Sequence, residues 1–488
     1  MKNYQTWTLA LIATLLLFRL GALFISPLGL HGDEAQYWAW SKDLDWGYFT
    51  KPPLIAWVIW STTSIFGDAE WAVRLSSPVL HSLTAFVIFR TARFTFDART
   101  GFWAAAIYLL MPALWLSSGI VSTDVPLLLC WALALNAWLH LREAASWPRA
   151  LQLGAAIGMG LLAKYAMLFF IPALIAALIL DPATRKAIAN RQGAAAGLLT
   201  LIIFAPNIFW NAAHDFATVT HTADNANLGH SFPFHPAELL SFLGDQFGVF
   251  GPITFALYIL ALIAALRGKL GAPAKWIAFF GLSPLLIISL EALLSRANAN
   301  WAVTSYIAGC ILTAHFGLTY GPRALKWMRG GIWAQTAICL VLGIALLSPA
   351  LTNSLGLANA VKRLRAWPET TAQIRQVFDA GHEGRAFETI TADQRILFYD
   401  LNYYTRNAPL PLTILMQKGV ATHHAHLSSA LPAQEGPVLI VNYYNNNQEA
   451  LRRDFERLVP LAPIDLDLGG GKTRSLKLWA GYGYRVKR

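Results

Sequence analysis

The chain has 488 residues, of which 56% are hydrophobic and 13% charged, and its mean hydropathy is +0.44. Soluble domains carry about 25% charged residues, so an ordinary water-soluble enzyme and a disordered chain are both excluded. The formal net charge of +11 does not mark a nucleic-acid binder, because Lys and Arg are scattered between apolar runs instead of gathering on one face.

A helix needs ~20 mostly apolar residues to cross the hydrocarbon core of a bilayer. Runs of that kind fall at 7–28, 71–93, 101–117, 123–141, 150–163, 165–180, 194–211, 239–266, 274–294, 301–320 and 331–350. The expected fold is therefore a mainly α, polytopic membrane bundle of about eleven transmembrane helices, with the fifth and sixth runs nearly abutting at Lys164. Between the first two runs lies a long loop, 29–70, holding a further apolar piece at 52–66. That piece is too short to span and suits an interfacial or re-entrant helix. A second long loop, 211–236, has no Lys or Arg and contains His214, His221, His230 and His235. Histidine is a common metal ligand, but these spacings match no i, i+4 helical pair. Cys130, Cys310 and Cys339 sit inside apolar runs and imply neither a disulfide framework nor a thiolate metal site.

Charge density changes once along the chain. Residues 1–361 carry 21 Lys and Arg and 15 Asp and Glu, whereas residues 362–488 carry 17 and 12. The sequence divides into a membrane domain, 1–361, and a small water-exposed domain, 362–488. The second mixes a helical pattern with short apolar runs and turn formers, which predicts an α/β fold.

Lys and Arg are retained on the cytoplasmic side of a membrane. Alternate loops hold Arg90, Arg93 and Arg99; Arg142 and Arg149; Arg185, Lys186 and Arg191; Arg267, Lys269 and Lys275; and Arg323, Lys326 and Arg329. The opposite side of the membrane domain has only Lys42, Lys51, Arg74, Lys164 and Arg296, together with most of the acids. The pattern predicts a cytoplasmic N-terminus, with both long loops and the C-terminal domain outside.

The densest polar signal directly follows the first apolar run: His31-Gly32-Asp33-Glu34-Ala35-Gln36-Tyr37. Paired carboxylates at a membrane surface suit a general base and its orienting partner, or oxygen ligands for a divalent metal cation on Asp33 and Glu34. They suit equally well the acidic first turn of a helix. Tyr37, Trp38, Trp40, Trp46 and Tyr48 form an aromatic shelf, as membrane interfaces and sugar-stacking surfaces both do. Lys51, held by Pro52-Pro53, can neutralise a phosphate or snorkel to lipid headgroups. Arg74 can pair with an acid or a phosphate. Asp124, after Ser122-Thr123, is a carboxylate at the mouth of a span, functional by default in a membrane or else part of a helix N-terminus. Lys164-Tyr165 and Arg296, with Asn300-Trp301, add cations and amides to the same side. A transporter should instead carry charge near the midplane and show a repeat; here the midplane is almost clean. Acids and cations at a water–lipid boundary suit a lipid-phosphate substrate whose head reacts in water.

Taken in order, His31-Gly-Asp-Glu-Ala-Gln-Tyr-Trp, Trp46-Gly-Tyr-Phe-Thr-Lys-Pro-Pro-Leu, Phe66-Gly-Asp-Ala-Glu-Trp-Ala-Val-Arg-Leu and Ser122-Thr-Asp-Val-Pro-Leu resemble the GT-C integral-membrane glycosyltransferases. Within these, the chain is similar to the branch of dolichyl-phosphate-mannose-protein mannosyltransferases and bacterial lipid A aminoarabinose transferases. Leu161-Leu-Ala-Lys-Tyr and Asn298-Ala-Asn-Trp also look like family segments. The resemblance covers roughly 1–320. It implies inverting transfer of a sugar from a polyprenyl-phosphate donor to a lipid or protein acceptor outside the cytoplasm, in the bacterial inner membrane. Lipopolysaccharide or another envelope glycolipid is the first expected acceptor and a secreted protein the second, with a lipid-linked-sugar flippase as the rival of another class. By the same resemblance Asp33 activates or orients the acceptor, Glu34 stands second to it, Lys51 contacts the donor phosphate and Asp124 is a further acid near the site. The candidate donor-phosphate cations are Lys51, Arg74, Lys164 and Arg296, and the candidate substrate contacts are Tyr37, Tyr48, Tyr165, Asn300 and Trp301. Two departures stand out. The aminoarabinose transferases carry an acid just before the Lys-Pro and an Arg two residues after the Asp-Glu, where this chain has Thr50 and Gln36.

Overall fold

The computed structural model describes residues 3–225, 234–416, 421–443 and 448–485. Helices dominate as far as Leu364, and all the strands follow it. By length and composition, six helices among the described residues can cross a membrane: Tyr4–Ile25, Glu70–Thr95 (two helices in line), Asp124–Glu143, Arg191–Ala213, Ala272–Leu294 and Pro322–Leu347. Counting two sharply bent pairs as one span each raises the number to eight. The remaining apolar runs are shorter or broken where the sequence dictates. The run 101–117 is interrupted before Pro112, which opens a new helix, as proline can at a first helical position. The run 239–266 bends by 111° between Pro236–Val249 and Pro252–Leu266. Gly251, at φ +102°, and Pro252 make that corner.

Asp124–Glu143 is enclosed by its neighbours, and its faces carry Trp131 and Trp138 into the core. Tyr4–Ile25 and Arg191–Ala213 lie at the periphery, where Leu17, Phe24, Leu198, Leu201, Ile202 and Phe209 are exposed. Apolar surface of that extent requires lipid as its solvent. Successive helices run between two polar ends. Asp124–Glu143 leads from Asp124 to Arg142, and Trp147–Ala163 leads back from Arg149 to Lys164. At the far end, Arg142 and Asp181 join the connections with a 2.6 Å contact.

The short piece of the first long loop is a 13-residue helix, Leu54–Phe66, about 20 Å long at 1.5 Å per residue and thus shorter than the ~30 Å hydrocarbon core. Ahead of it, Gly32–Ser41 forms a separate helix.

The C-terminal strands are β1 (Thr389–Ala392), β2 (Leu412–Ile414), β3 (Val438–Asn442), β4 (Phe455–Pro460), β5 (Ile464–Gly469) and β6 (Lys472–Tyr484). They make one sheet in the order β2-β1-β3-β6-β4, with β5 also pairing to β6. β1 lies parallel to β2 and β3, while β6 pairs antiparallel with β3, β4 and β5.

This sheet does not stand apart. One apolar core holds Leu397, Leu401, Ile390, Leu439 and Leu476 together with Leu30, Ala35, Trp38, Trp40, Ile55 and Ile59 of the first long loop. The contact is close enough to require glycine at two places. A Cβ on Gly32 would lie 2.3 Å from Cγ2 of Ile396, and one on Gly29 would lie 2.2 Å from the Tyr404 hydroxyl.

Candidate active site

Two segments of the first long loop build two sides of the site. The Gly32–Ser41 helix begins with a capping box: the Asp33 amide donates to Nδ1 of His31 at 3.2 Å, and the His31 amide donates to Oε2 of Glu34 at 2.9 Å. Further along, Tyr48 and Lys51 pair through their backbones and set up the Pro52-Pro53 turn into Leu54–Phe66. A third side comes from Ser122 to Asp124 at the head of Asp124–Glu143, and a fourth from Lys164, where Trp147–Ala163 ends in an extended residue.

These segments enclose a cavity of about 550 Å³, lined among others by Asp33, Tyr37, Lys51, Asp124, Lys164, Asn300 and Trp301. Seven of the residues singled out in the sequence, drawn from five stretches of chain, thus face one space. Asp124 accepts from Lys164 Nζ at 2.7 Å on one oxygen and from Asn300 Nδ2 at 2.8 Å on the other. Thr123 makes no side-chain cap for that helix. Asp33 accepts from Nη1 of Arg395 at 2.9 Å.

Lys51 has no carboxylate within ion-pair distance among the described residues. Burial, and after it the Lys164 charge, push its ammonium down to about 8. His221 and His423 also line the cavity, and burial holds both imidazoles below the ordinary histidine range, His423 down to about 3. The charge of the space at neutral pH therefore comes from Lys51, Lys164 and Arg395 against Asp33 and Asp124.

Five candidate residues lie elsewhere. Glu34 and Arg74 are both 2% exposed and pair with each other. Arg74 donates to the two Glu34 oxygens at 2.9 and 2.6 Å and to the carbonyls of Leu28 and Gly29, while the Val121 amide completes Glu34 at 2.9 Å. The pair fastens the loop to the bundle, because a carboxylate and a guanidinium taken out of water must saturate each other. Tyr48 is buried with its ring stacked on Trp40 at 4.4 Å, and its hydroxyl donates to the Trp40 and Asp43 carbonyls. Tyr165 donates to Asn207 at 2.8 Å and lies outside the cavity wall. Arg296 is exposed and is not part of the lining.

A divalent ion held by Asp33 and Glu34 together does not fit, since every Glu34 lone pair that faces the fold is already spoken for. Among the described residues no group of three His, Cys, Asp or Glu side chains has a metal-binding arrangement. Of the loop histidines, His230 lies outside the described residues, as do positions 226–233 of that loop.

Sequence reasoning missed Arg395, Thr422 and His423, which enter the cavity from the C-terminal sheet. Arg395 starts the helix Arg395–Tyr404 just after β1, and Thr422 and His423 follow β2. Both positions lie beyond the carboxyl ends of parallel strands, where open α/β sheets present their ligands. That topology was the available signal, and it emerges only once the strand order is known.

The family of dolichyl-phosphate-mannose-protein mannosyltransferases matches residues 50–210. The lipid A galacturonosyltransferase RgtD of Rhizobium johnstonii is 35% identical to this chain, over 84% of the chain and 85% of the relative. The undecaprenyl phosphate-alpha-4-amino-4-deoxy-L-arabinose arabinosyl transferase of Pseudomonas aeruginosa is 28% identical, over 74% and 67%. Among solved structures, ArnT from Cupriavidus metallidurans bound to undecaprenyl phosphate superimposes with a TM-score of 0.68 over 97% of this chain and 98% of that one, at 16% identity.

Proposed function

The chain belongs to the GT-C integral-membrane glycosyltransferases, in the branch that holds the lipid A galacturonosyltransferase and aminoarabinose transferases, and from that premise we propose that it moves a hexuronic acid from a polyprenyl-phosphate donor onto lipid A or a related envelope glycolipid. The observation that carries this reading is the cavity itself. Two carboxylates and three cations from distant stretches of chain converge at the polar end of an otherwise apolar bundle.

Breaking the sugar–phosphate bond builds negative charge on the leaving phosphate and positive charge on the anomeric carbon. Lys51, unpaired and drawn out of water, is the cation suited to the phosphate, with Lys164 beside it; fixed charges in a partly dry site stabilise such a change without reorganising. The second oxygen of Asp33 accepts the proton of an acceptor hydroxyl while Arg395 holds the first. The hydroxyl attacks the anomeric carbon opposite the phosphate, so the configuration inverts. Asp124, tied to Lys164 and Asn300, fixes the position of that ammonium. Where the acceptor group is a phosphate, which needs no base, Asp33 orients it instead. Tyr37 and Trp301 offer faces for the sugar.

The same reading sets the chain in the bacterial inner membrane with about eleven spans, a cytoplasmic N-terminus and the cavity outside. Residues 362–488 form the outer α/β domain that closes the cavity. The loop charges support this orientation, since the Arg-rich connections lie at the end of the bundle away from the cavity. Proteoliposomes given labelled polyprenyl-phosphate galacturonate and lipid A test the proposal. Labelled glycolipid is the expected product, and movement of donor across the bilayer without product would replace the enzyme with a transporter.

A further inference from the structure

The cavity distributes its hydrogen-bonding capacity unevenly. Both Asp124 oxygens are taken by Lys164 and Asn300, and one Asp33 oxygen is taken by Arg395. The other Asp33 oxygen is the one the proposed chemistry requires. Thr50 and Gln36 are neutral and are linked to each other at 3.3 Å. A sugar bearing an ammonium would therefore find no uncommitted carboxylate on the described walls. Among the described residues cationic donors are in surplus: Lys51 has no acid partner, and Arg395 is only partly used.

Arg395 spends a single nitrogen on the protein. Its Nη1 donates to Asp33 and to Oε1 of Gln36, and neither Nε nor Nη2 has a partner among the described residues. The guanidinium lines the cavity and its side chain is 29% exposed, so that free edge is open to the space. The Nε–Nη2 edge of arginine presents two parallel N–H groups spaced for the two oxygens of a carboxylate. The Gln36 and Asp33 contacts, with the packing of Gly32 against Ile396, fix the plane of the fork before any ligand arrives.

We propose that the free Nε–Nη2 edge of Arg395 binds the C6 carboxylate of the donor's uronic acid and is the specificity-determining contact that selects an acidic sugar. The proposal rests on the transferase reading above and adds the residue that reads the sugar.

The full-length enzyme in proteoliposomes provides the test, with polyprenyl-phosphate galacturonate as donor and sugar-free polyprenyl phosphate as inhibitor. Losing a charge-assisted bidentate contact is worth about 10- to 100-fold in affinity. R395Q is therefore expected to raise KM for the uronate donor by that factor and to leave inhibition by polyprenyl phosphate unchanged, because the inhibitor has the phosphate but no carboxylate. R395K should recover part of the loss. Equal weakening of donor and inhibitor would reassign Arg395 to the phosphate. A fall in kcat at constant KM would leave it only as a support for Asp33. Either result overturns the proposal while the transferase reading stands; a wild-type enzyme that transfers no uronate would remove both.

Discussion

Arg395 and Asp33 are 362 positions apart and meet at 2.9 Å. This contact joins the head of a helix in the C-terminal sheet region to the first turn of the helix that follows the first apolar run. A carboxylate held on one oxygen by a guanidinium is fixed in direction while its other oxygen remains available, the arrangement a general base needs.

Asp33→Asn tests that role. The amide keeps an oxygen for Arg395 but cannot take a proton, so transfer to a hydroxyl acceptor should fall by ~10²- to 10⁴-fold. Unfolding in detergent should be unchanged, because Asp33 is half-exposed and belongs to no apolar core. Turnover at the wild-type rate would end the assignment of Asp33 as base.

Gly32→Val tests whether the closeness of the two units matters. A Cβ there would stand 2.3 Å from Ile396 Cγ2 and 3.3 Å from Oδ2 of Asp400, so the helices must part before a branched side chain can fit. Arg395 should then lose Asp33, and protease cleavage of the C-terminal region should accelerate together with the loss of transfer. Cleavage and activity both at wild-type levels would mean that the interface absorbs the change.

The bundle and its polar cluster were legible because each rests on a local signal. An apolar run of ~20 residues reports a span whatever it packs against, and His31-to-Tyr37 or Ser122-to-Asp124 stand out against apolar flanks. Long-range pairing was not legible. Glu34 and Arg74 read as site residues because a membrane carboxylate and a cation look the same in sequence whether they meet substrate or each other. Only the 2.6 Å contact between them separates the two cases. Arg395 carries no such flank: it begins an amphipathic helix in an ordinary α/β segment, and its place in the cavity depends on the order β2-β1-β3 and on the packing of Gly32. The bends at Pro112 and Pro252 had sequence marks, and the apolar continuity on either side masked them.

Lys51 predicts a pH profile. Its ammonium, brought down to about 8 by burial and by Lys164, is charged below that pH and neutral above it. With Lys51 as the phosphate ligand, kcat/KM for the donor should be level below about 8 and fall roughly tenfold per pH unit above it, since this parameter reports the free enzyme. Lys51→Arg stays charged throughout and should remove the alkaline limb. Stability moves the other way. An unfolded lysine titrates near ~10.4, so the unfolded chain binds more protons between about 8 and that value, and the Lys51 contribution to folding improves as pH rises through the window. An alkaline limb that tracked loss of folded protein would therefore not belong to Lys51.

The Glu34–Arg74 pair predicts a loss of stability without selectivity for substrate. Both residues are 2% exposed, and each satisfies the other. Removing one partner strands a buried charge, at a cost of ~3–5 kcal/mol. Arg74→Ala leaves Glu34 with only the His31 and Val121 amides and also abandons the carbonyls of Leu28 and Gly29. Glu34→Gln keeps a neutral acceptor and should cost less. Both variants should unfold earlier in detergent, Arg74→Ala by more, while the protein that remains folded keeps its KM for the polyprenyl-phosphate donor. If Arg74 instead bound the donor phosphate, Arg74→Ala would raise that KM at constant stability, and the division between the anchoring pair and the cavity residues would fail.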